Sequence, residues 1–179
     1  MSSSGAAIRP ASHDDLKAVA DIYTHYVRHS VITFDETPRS ATDWEQLLGS
    51  LTVRGLPFLV AELSGAVAGY AYAAPWRPKP AYRYTVEDTI YLAPDATGQG
   101  LGTALLGRLI DETVRAGKRR MIAVIADTGG DGTGSDASTA LHRRFGFTEA
   151  GRLTAVGHKH GRWVDTMLLQ RSLPEQDSA

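Results

Sequence analysis

Thr97-Gly98-Gln99-Gly100-Leu101-Gly102-Thr103 is the stretch on which the reading of this chain turns. It lies between an extended run, Thr85 to Leu92, and a helical one in which Leu101, Leu105, Leu106, Leu109 and Ile110 recur on one face. Glycines let the backbone approach a ligand closely, and the first amides of a helix have no partner within it. With the helix dipole they make a cradle for a phosphate. The plainer alternative is a glycine-rich connection that binds nothing. A P-loop is a poor match because no lysine follows Gly102. A Rossmann turn is another, since the glycines fall at 98, 100 and 102 instead of Gly-x-Gly-x-x-Gly.

Upstream, Ala7 to Pro10 reads as a first strand, and Ser12 as the N-cap of a helix with Asp14 and Asp15 in its first turn. Leu16, Val19, Ala20, Tyr23, Tyr26 and Val27 carry that helix to about Ser30. Thr42 and Glu45 form a capping box for a second helix that stops at Gly55. Phe58 to Leu63, a turn at Ser64-Gly65, and Ala66 to Ala74 make a hairpin. A proline-rich loop, Pro75 to Pro80, leads to the strand before the glycines.

Downstream, the helix ends at Gly117 and Met121 to Ile125 is a strand buried on both faces. Asp127 to Ser135 is a loop rich in Gly, Asp and Thr. A short helix runs from Asp136 to Phe145, and two strands, Thr148 to Leu153 and Trp163 to Gln170, close one domain spanning 7–173. Segments 1–6 and 174–179 are expected to be disordered. The order β-α-α-β-β-β-α-β-α-β-β predicts an α/β fold, a mixed sheet with helices on both faces.

A chain of 179 residues, 42% of them hydrophobic, can bury a core without staples. The absence of cysteine excludes disulfides, thiolate zinc sites and a cysteine acyl-enzyme. A net charge of −1, from 19 basic and 20 acidic residues, argues against a nucleic-acid partner. No apolar run approaches the roughly 18 residues that span a bilayer, so no membrane partner is expected. The polar opening does not read as a signal peptide, and a cytoplasmic location follows.

The spacing from 97 to 102 resembles the pyrophosphate motif of the GNAT N-acetyltransferases, Gln/Arg-x-x-Gly-x-Gly/Ala, with Thr97 in the first place. Ala74-Pro75-Trp76-Arg77, Tyr82-Arg83-Tyr84-Thr85-Val86-Glu87, Thr89-Ile90-Tyr91-Leu92, Leu141-His142-Arg143-Arg144-Phe145-Gly146-Phe147 and Gly157-His158-Lys159-His160-Gly161-Arg162-Trp163-Val164-Asp165 are similar, in the same order, to one branch. That branch comprises the phosphinothricin and methionine-sulfoximine acetyltransferases.

The resemblance implies the GNAT fold, a twisted mixed sheet of about seven strands splayed in a V with helices on both faces. It also implies acetyl-CoA as co-substrate with no metal, a small amine as acceptor, and a homodimer. Ile90, Tyr91 and Leu92 would pair their backbone with the pantetheine arm, and Gly98, Gln99, Gly100, Leu101, Gly102 and Thr103 would hold the pyrophosphate. Glu87 matches the catalytic base, while Arg77, Tyr82, Arg83 and Thr85 lie where acidic groups of the acceptor are recognised. His142 stands where many members place the tyrosine that protonates the thiolate, and Arg144 near the CoA phosphates. Ser135 replaces the family's Asn ahead of Ser138, after several extra loop residues.

Direct acetyl transfer needs a neutral amine, a stabilised oxyanion and a departing thiolate. A carboxylate within reach of the ammonium removes its proton. Strand alternation puts Glu87, Thr89 and Tyr91 on one face and Val86, Asp88, Ile90 and Leu92 on the other. Asp88 is thus a rival base expected to point away from Glu87, and a solvated strand carboxylate is the plain alternative for Glu87. A backbone N–H near Leu92 suits the oxyanion. His142 titrates near neutral pH, a structural histidine being its alternative.

Arg77 and Arg83 suit bidentate binding of a carboxylate or phosphinate, against ordinary surface charge. For Arg144 the alternative is a solvated basic face. His158-x-His160 and 129–136 lack the donor sets of zinc or calcium sites. Three other functions stay open: acetylation of a peptide N-terminus or aminoglycoside, acyl-CoA sensing without turnover, suggested by Thr97 and Ser135, and nucleotide binding.

Overall fold

The computed structural model describes residues 6–129 and 135–175. The expected disorder of 1–5 and 176–179, and most of the expected 127–135 loop, lie outside the described residues. The elements are β1 (Ala7–Pro10), α1 (Leu16–His29), α2 (Ala41–Val53), β2 (Phe58–Leu63), β3 (Ala66–Pro75) and β4 (Thr85–Leu92). They continue with α3 (Leu101–Arg115), β5 (Arg120–Asp127), α4 (Ser135–Arg144), β6 (Thr148–Lys159) and β7 (Arg162–Ser172).

All seven strands form one sheet in the order β1-β2-β3-β4-β5-β7-β6. Only β4 and β5 run parallel, and α3 supplies the crossover that a parallel pair requires. Tyr70 of β3 meets Trp44 of α2, whereas a Cβ on neighbouring Gly69 would meet Leu105 of α3 at 3.2 Å. Successive strand residues point to opposite faces, so α2 and α3 cover opposite faces of the sheet. Leu105, Leu106 and Leu109 are fully buried. Burial of each is worth about 1.5–3 kcal/mol, which fixes α3, and with it the glycine turn at its start, to the sheet.

The sheet is split. β4 and β5 pair only at Thr85↔Arg120, Val86↔Met121 and Glu87↔Ile122. Beyond Glu87 they part, each still held along its outer edge, β4 by β3 and β5 by β7. The result is the expected V, with its apex at Glu87.

Three expectations are corrected. Met121 to Ile125 is not buried on both faces, because Val124 is exposed and lines the space opened where β5 parts from β4. The capping box of α2 is Ser40 and Asp43, not Thr42 and Glu45: Ser40 N–H donates to Asp43 Oδ2 at 2.8 Å, and Asp43 N–H to Ser40 Oγ at 3.1 Å. Ser40 is the last extended residue, so Thr42 and Glu45 already lie inside the helix, and Glu45 meets His13 instead. The final strands are also longer than expected, forming a hairpin turned at His160-Gly161, both at positive φ. Register shifts at Glu149/Gly151 and Leu153/Gly157 break the two-residue period there, which hides the length of β6 from pattern reading.

Candidate active site

Gly98 and Gly100 take φ of 74° and 81°, the left-handed region that costs glycine little. Thr97 Oγ1 donates to the Pro94 carbonyl and Gln99 Nε2 to that of Asp95, each at 3.2 Å, so these side chains fold back on the preceding turn. Ala104 N–H reaches back to the Gly100 carbonyl at 3.1 Å. The amides of Leu101, Gly102 and Thr103 precede that bond and are the donors that a helix start leaves open. Arg144 donates to Thr103 Oγ1, tying the end of α4 to this turn and placing a guanidinium beside it. A Cβ on Gly102 would come 3.3 Å from Leu141 of α4.

The edge of β4 inside the V can be read from its neighbours. Ala93 N–H donates to Ala68, and the Thr85 carbonyl accepts from Trp76, so odd-numbered residues spend their backbone on β3. The Tyr84 carbonyl accepts from Arg120, so even-numbered residues face β5, and beyond the apex they face the cleft. Ile90 and Leu92 therefore turn backbone groups into it. The Leu92 carbonyl already accepts from Tyr26 Oη at 2.6 Å, which leaves its N–H. Tyr91 gives its backbone to β3 and its ring to Tyr23, Tyr26 and Tyr70.

Two compartments meet at the apex. A cleft of about 290 Å³ is lined by Glu87, Asp88, Ile90, Leu92, Gly102, Ser135, Ser138, Leu141 and His142. A hollow of about 230 Å³ is lined by Tyr23, Thr33, Phe34, Arg39, Tyr72, Glu87, Thr89 and Tyr91. Glu87, Thr89 and Tyr91 line both. Burial, then the charge of Asp88, raises the pKa of Glu87, and Arg77 opposes them. A carboxylate so placed is a stronger base than one in water.

Arg39 lines the same hollow as Glu87. Its Nη1 donates to Tyr72 Oη at 3.3 Å and its Nε lies 3.6 Å from Asp35. The guanidinium is 5.2 Å from the ring centres of Tyr23 and Trp44. In the cleft, His142 Nε2 meets Asp88 Oδ2 at 2.8 Å, with both side chains buried. Ser135 is buried too, its hydroxyl 2.8 Å from that of Thr128.

Of the residues expected to bind the acceptor, Arg77 lies over Trp76 and Arg83 over Tyr84, and Tyr82 is exposed. None of them, nor Thr85 where β4 begins, lines either compartment. Arg39, Thr33 and Tyr72 stand in the hollow instead. No local pattern marks Arg39, which sits in the loop before α2. Among the described residues no three His, Asp or Glu are grouped to hold a metal, and His158 packs on Trp163. No described helix is long and apolar enough to cross a membrane.

A split sheet with a helix start at the mouth of its cleft, and a half-buried carboxylate at its apex, defines an acyl-transfer type of site. The chain belongs to the acetyltransferase (GNAT) family, which it matches over residues 18–147, and it is an acetyltransferase enzyme. It is 44% identical to the phosphinothricin N-acetyltransferase of Alcaligenes faecalis, an alignment covering 96% of this chain and 84% of the relative. It is 38% identical to the L-methionine sulfoximine/L-methionine sulfone acetyltransferase of Salmonella typhimurium, covering 94% and 95%. A phosphinothricin acetyltransferase from Sinorhizobium meliloti, solved in complex with AcCoA, superposes with a TM-score of 0.87 at 44% identity, covering 94% of this chain and 88% of that one.

Proposed function

We propose that the protein transfers the acetyl group of acetyl-CoA directly to the α-amino group of a small amino-acid analogue, with Glu87 as general base. Phosphinothricin, methionine sulfoximine and methionine sulfone are the acceptors that its relatives' names suggest. The observation that carries this reading is the place of Glu87, at the apex where cleft and hollow meet. The cleft takes acetyl-CoA: its pyrophosphate on the amides of 98–103 beside Arg144, its pantetheine along Ile90 and Leu92. The hollow takes the acceptor, with Arg39 facing its acidic group.

Glu87 removes a proton from the ammonium, the neutral nitrogen attacks the acetyl carbon, and an open N–H on the cleft edge of β4 steadies the oxyanion. His142 lies in the wall of the same cleft, where an acid for the thiolate is needed. The exposure of Arg77, Tyr82 and Arg83 favours one second reading, a family member serving a different amine. Thiol release from acetyl-CoA decides between them, measured with the three named acceptors and with peptide and aminoglycoside amines. Turnover of the former group alone supports the first reading, and turnover of the latter alone overturns it.

A homodimer in the cytoplasm accompanies this reading. β6 is an edge strand, and Leu153, Val156 and Trp163 of the last hairpin are exposed, an apolar edge that a second copy would cover. Light scattering after size exclusion should give twice the chain mass; the mass of one chain would refute the dimer.

A further inference from the structure

Asp88 is the carboxylate that strand alternation turns away from Glu87. Its side chain is 1% exposed, with Oδ2 2.8 Å from His142 Nε2. The other ring nitrogen, Nδ1, lies 2.7 Å from the carbonyl of Ser138, one turn earlier in α4. A carbonyl oxygen only accepts, so Nδ1 carries a hydrogen. Nε2 and Oδ2 at hydrogen-bond distance need a second hydrogen between them, because otherwise two lone pairs face each other.

Asp88 Oδ1 is buried without a hydrogen-bond partner among the described residues. That hydrogen sits on the ring or on the carboxyl; beside an ionised Asp88, an unprotonated ring would leave a buried carboxylate uncompensated, which costs several kcal/mol. Among the described residues the surroundings offer no competing charge of that proximity. Glu87, on the other face of β4, is near enough for the charge of Asp88 to raise its pKa; Arg143 reaches toward Glu149, Arg144 binds Thr103, and Phe147 packs on the ring in a T-shaped contact.

We infer that Asp88 is a positioning residue that keeps His142 doubly protonated in the cleft wall, and that the proton between Nε2 and Oδ2 passes to the departing thiolate. The inference rests on the reading of the protein as a direct acetyltransferase with Glu87 as base. In the balanced step the acceptor nitrogen has already bonded to the acetyl carbon. The carbon–sulfur bond breaks, its electron pair stays on sulfur, and sulfur takes the shared proton. The ammonium loses two protons in all: one restores the Asp88–His142 pair and the other reaches solvent.

Burial is the largest influence on the ring and disfavours its charge, but the Asp88 carboxylate and the Ser138 carbonyl outweigh it and raise the pKa of His142. The acid form is therefore present below that raised value and lost as pH rises through it. The turnover number should fall along the same limb.

Nitrogen-15 NMR of the His142 ring in the unliganded enzyme at about pH 7 should show both nitrogens protonated, and Asp88→Asn should lose the hydrogen on Nε2. In Asp88→Asn the turnover number should drop about a hundredfold with little change in KM, the alkaline limb should move to lower pH, and Asp88→Glu should restore part of both. A singly protonated ring in the wild type, or an unmoved limb in a folded Asp88→Asn, overturns the proposal. Should Asp88→Asn fail to fold, the wild-type ring signal still decides. Glu87→Gln, measured alongside, separates the two readings: retained turnover there removes the base, whereas a neutral ring removes the pair.

Discussion

Glu87 and Ile122 are the last residues that β4 and β5 pair before the strands part, so the backbone of Glu87 is fixed on one side and its carboxylate opens to two compartments. The fork that opens the cleft also holds the Glu87 carboxylate at its apex. Glu87→Gln should lower the turnover number by about 10²- to 10⁴-fold while leaving the calorimetric affinity for acetyl-CoA near wild type. Equal loss of both would mean that the residue supports the cleft instead of the chemistry.

The pH dependence has a definite sign. Burial first, and Asp88 second, raise the pKa of Glu87, and Arg77 lowers it. The basic form accumulates as pH climbs through the raised value, so the turnover number at saturating acceptor should rise along this limb. Arg77→Gln removes the opposing charge and should shift the limb to higher pH. A shift to lower pH would show that Arg77 acts on some other group.

Arg39 is set by its contacts with Tyr72, Tyr23 and Trp44 to face the hollow. Arg39→Gln should raise KM about tenfold or more for an acceptor bearing a second acidic group, as a hydrogen bond to a charged group is worth about 1.5–3 kcal/mol. KM for acetyl-CoA and for a neutral amine should change little. A parallel rise for acetyl-CoA would refute the division into two compartments.

Gly100 and Gly69 should fail for different reasons. A Cβ at Gly100 meets nothing within 4 Å, but φ is 81°, so Gly100→Ala costs about 1–2 kcal/mol of backbone strain. At Gly69 the added carbon would stand 2.6 Å from Leu92 Cδ2 and 3.1 Å from the Tyr91 carbonyl, and overpacking costs about 1–3 kcal/mol. Denaturant midpoints measure both. Gly100→Asn should recover part of the loss at the first site, since Asn tolerates that φ, and Gly69→Asn should recover nothing.

Asp15 contributes a pH-dependent part of stability. It accepts two bonds from Arg9 at 2.8 Å and one from the Ser12 N–H at 2.7 Å. The bonds to Arg9 lead in lowering its pKa from 3.8 to about 2, against the effect of burial. A depressed carboxylate stabilises the fold above its unfolded pKa and loses that contribution as pH falls through the folded one. Roughly 2 kcal/mol should therefore disappear between about pH 5 and pH 2. Asp15→Asn should flatten the melting temperature across that window, and an unchanged slope would assign the acid sensitivity to other groups.

Much of the fold was legible because its signals are local. The leucine period of α3, the glycine turn before it and the alternation along β4 each involve residues within a few positions of one another, and all three stand in the structure as read. The α2 cap was displaced by two residues because Ser40-Asp43 and Thr42-Glu45 are both competent boxes, and only the start of the helix at Ala41 selects between them. The lengths of β6 and β7 were hidden by bulges that break the period on which strand reading depends.

The sequence by itself determined the order of the elements, the glycine turn before α3 and the face of β4 that carries Glu87, since backbone geometry and side-chain period set these over short spans. Tertiary structure alone decided where the sheet splits, that Asp88 meets His142 across 54 positions, and that Arg39 meets Tyr72 across 33. Such contacts depend on how helices seat on the sheet, a matter of packing among distant surfaces. No local period records it.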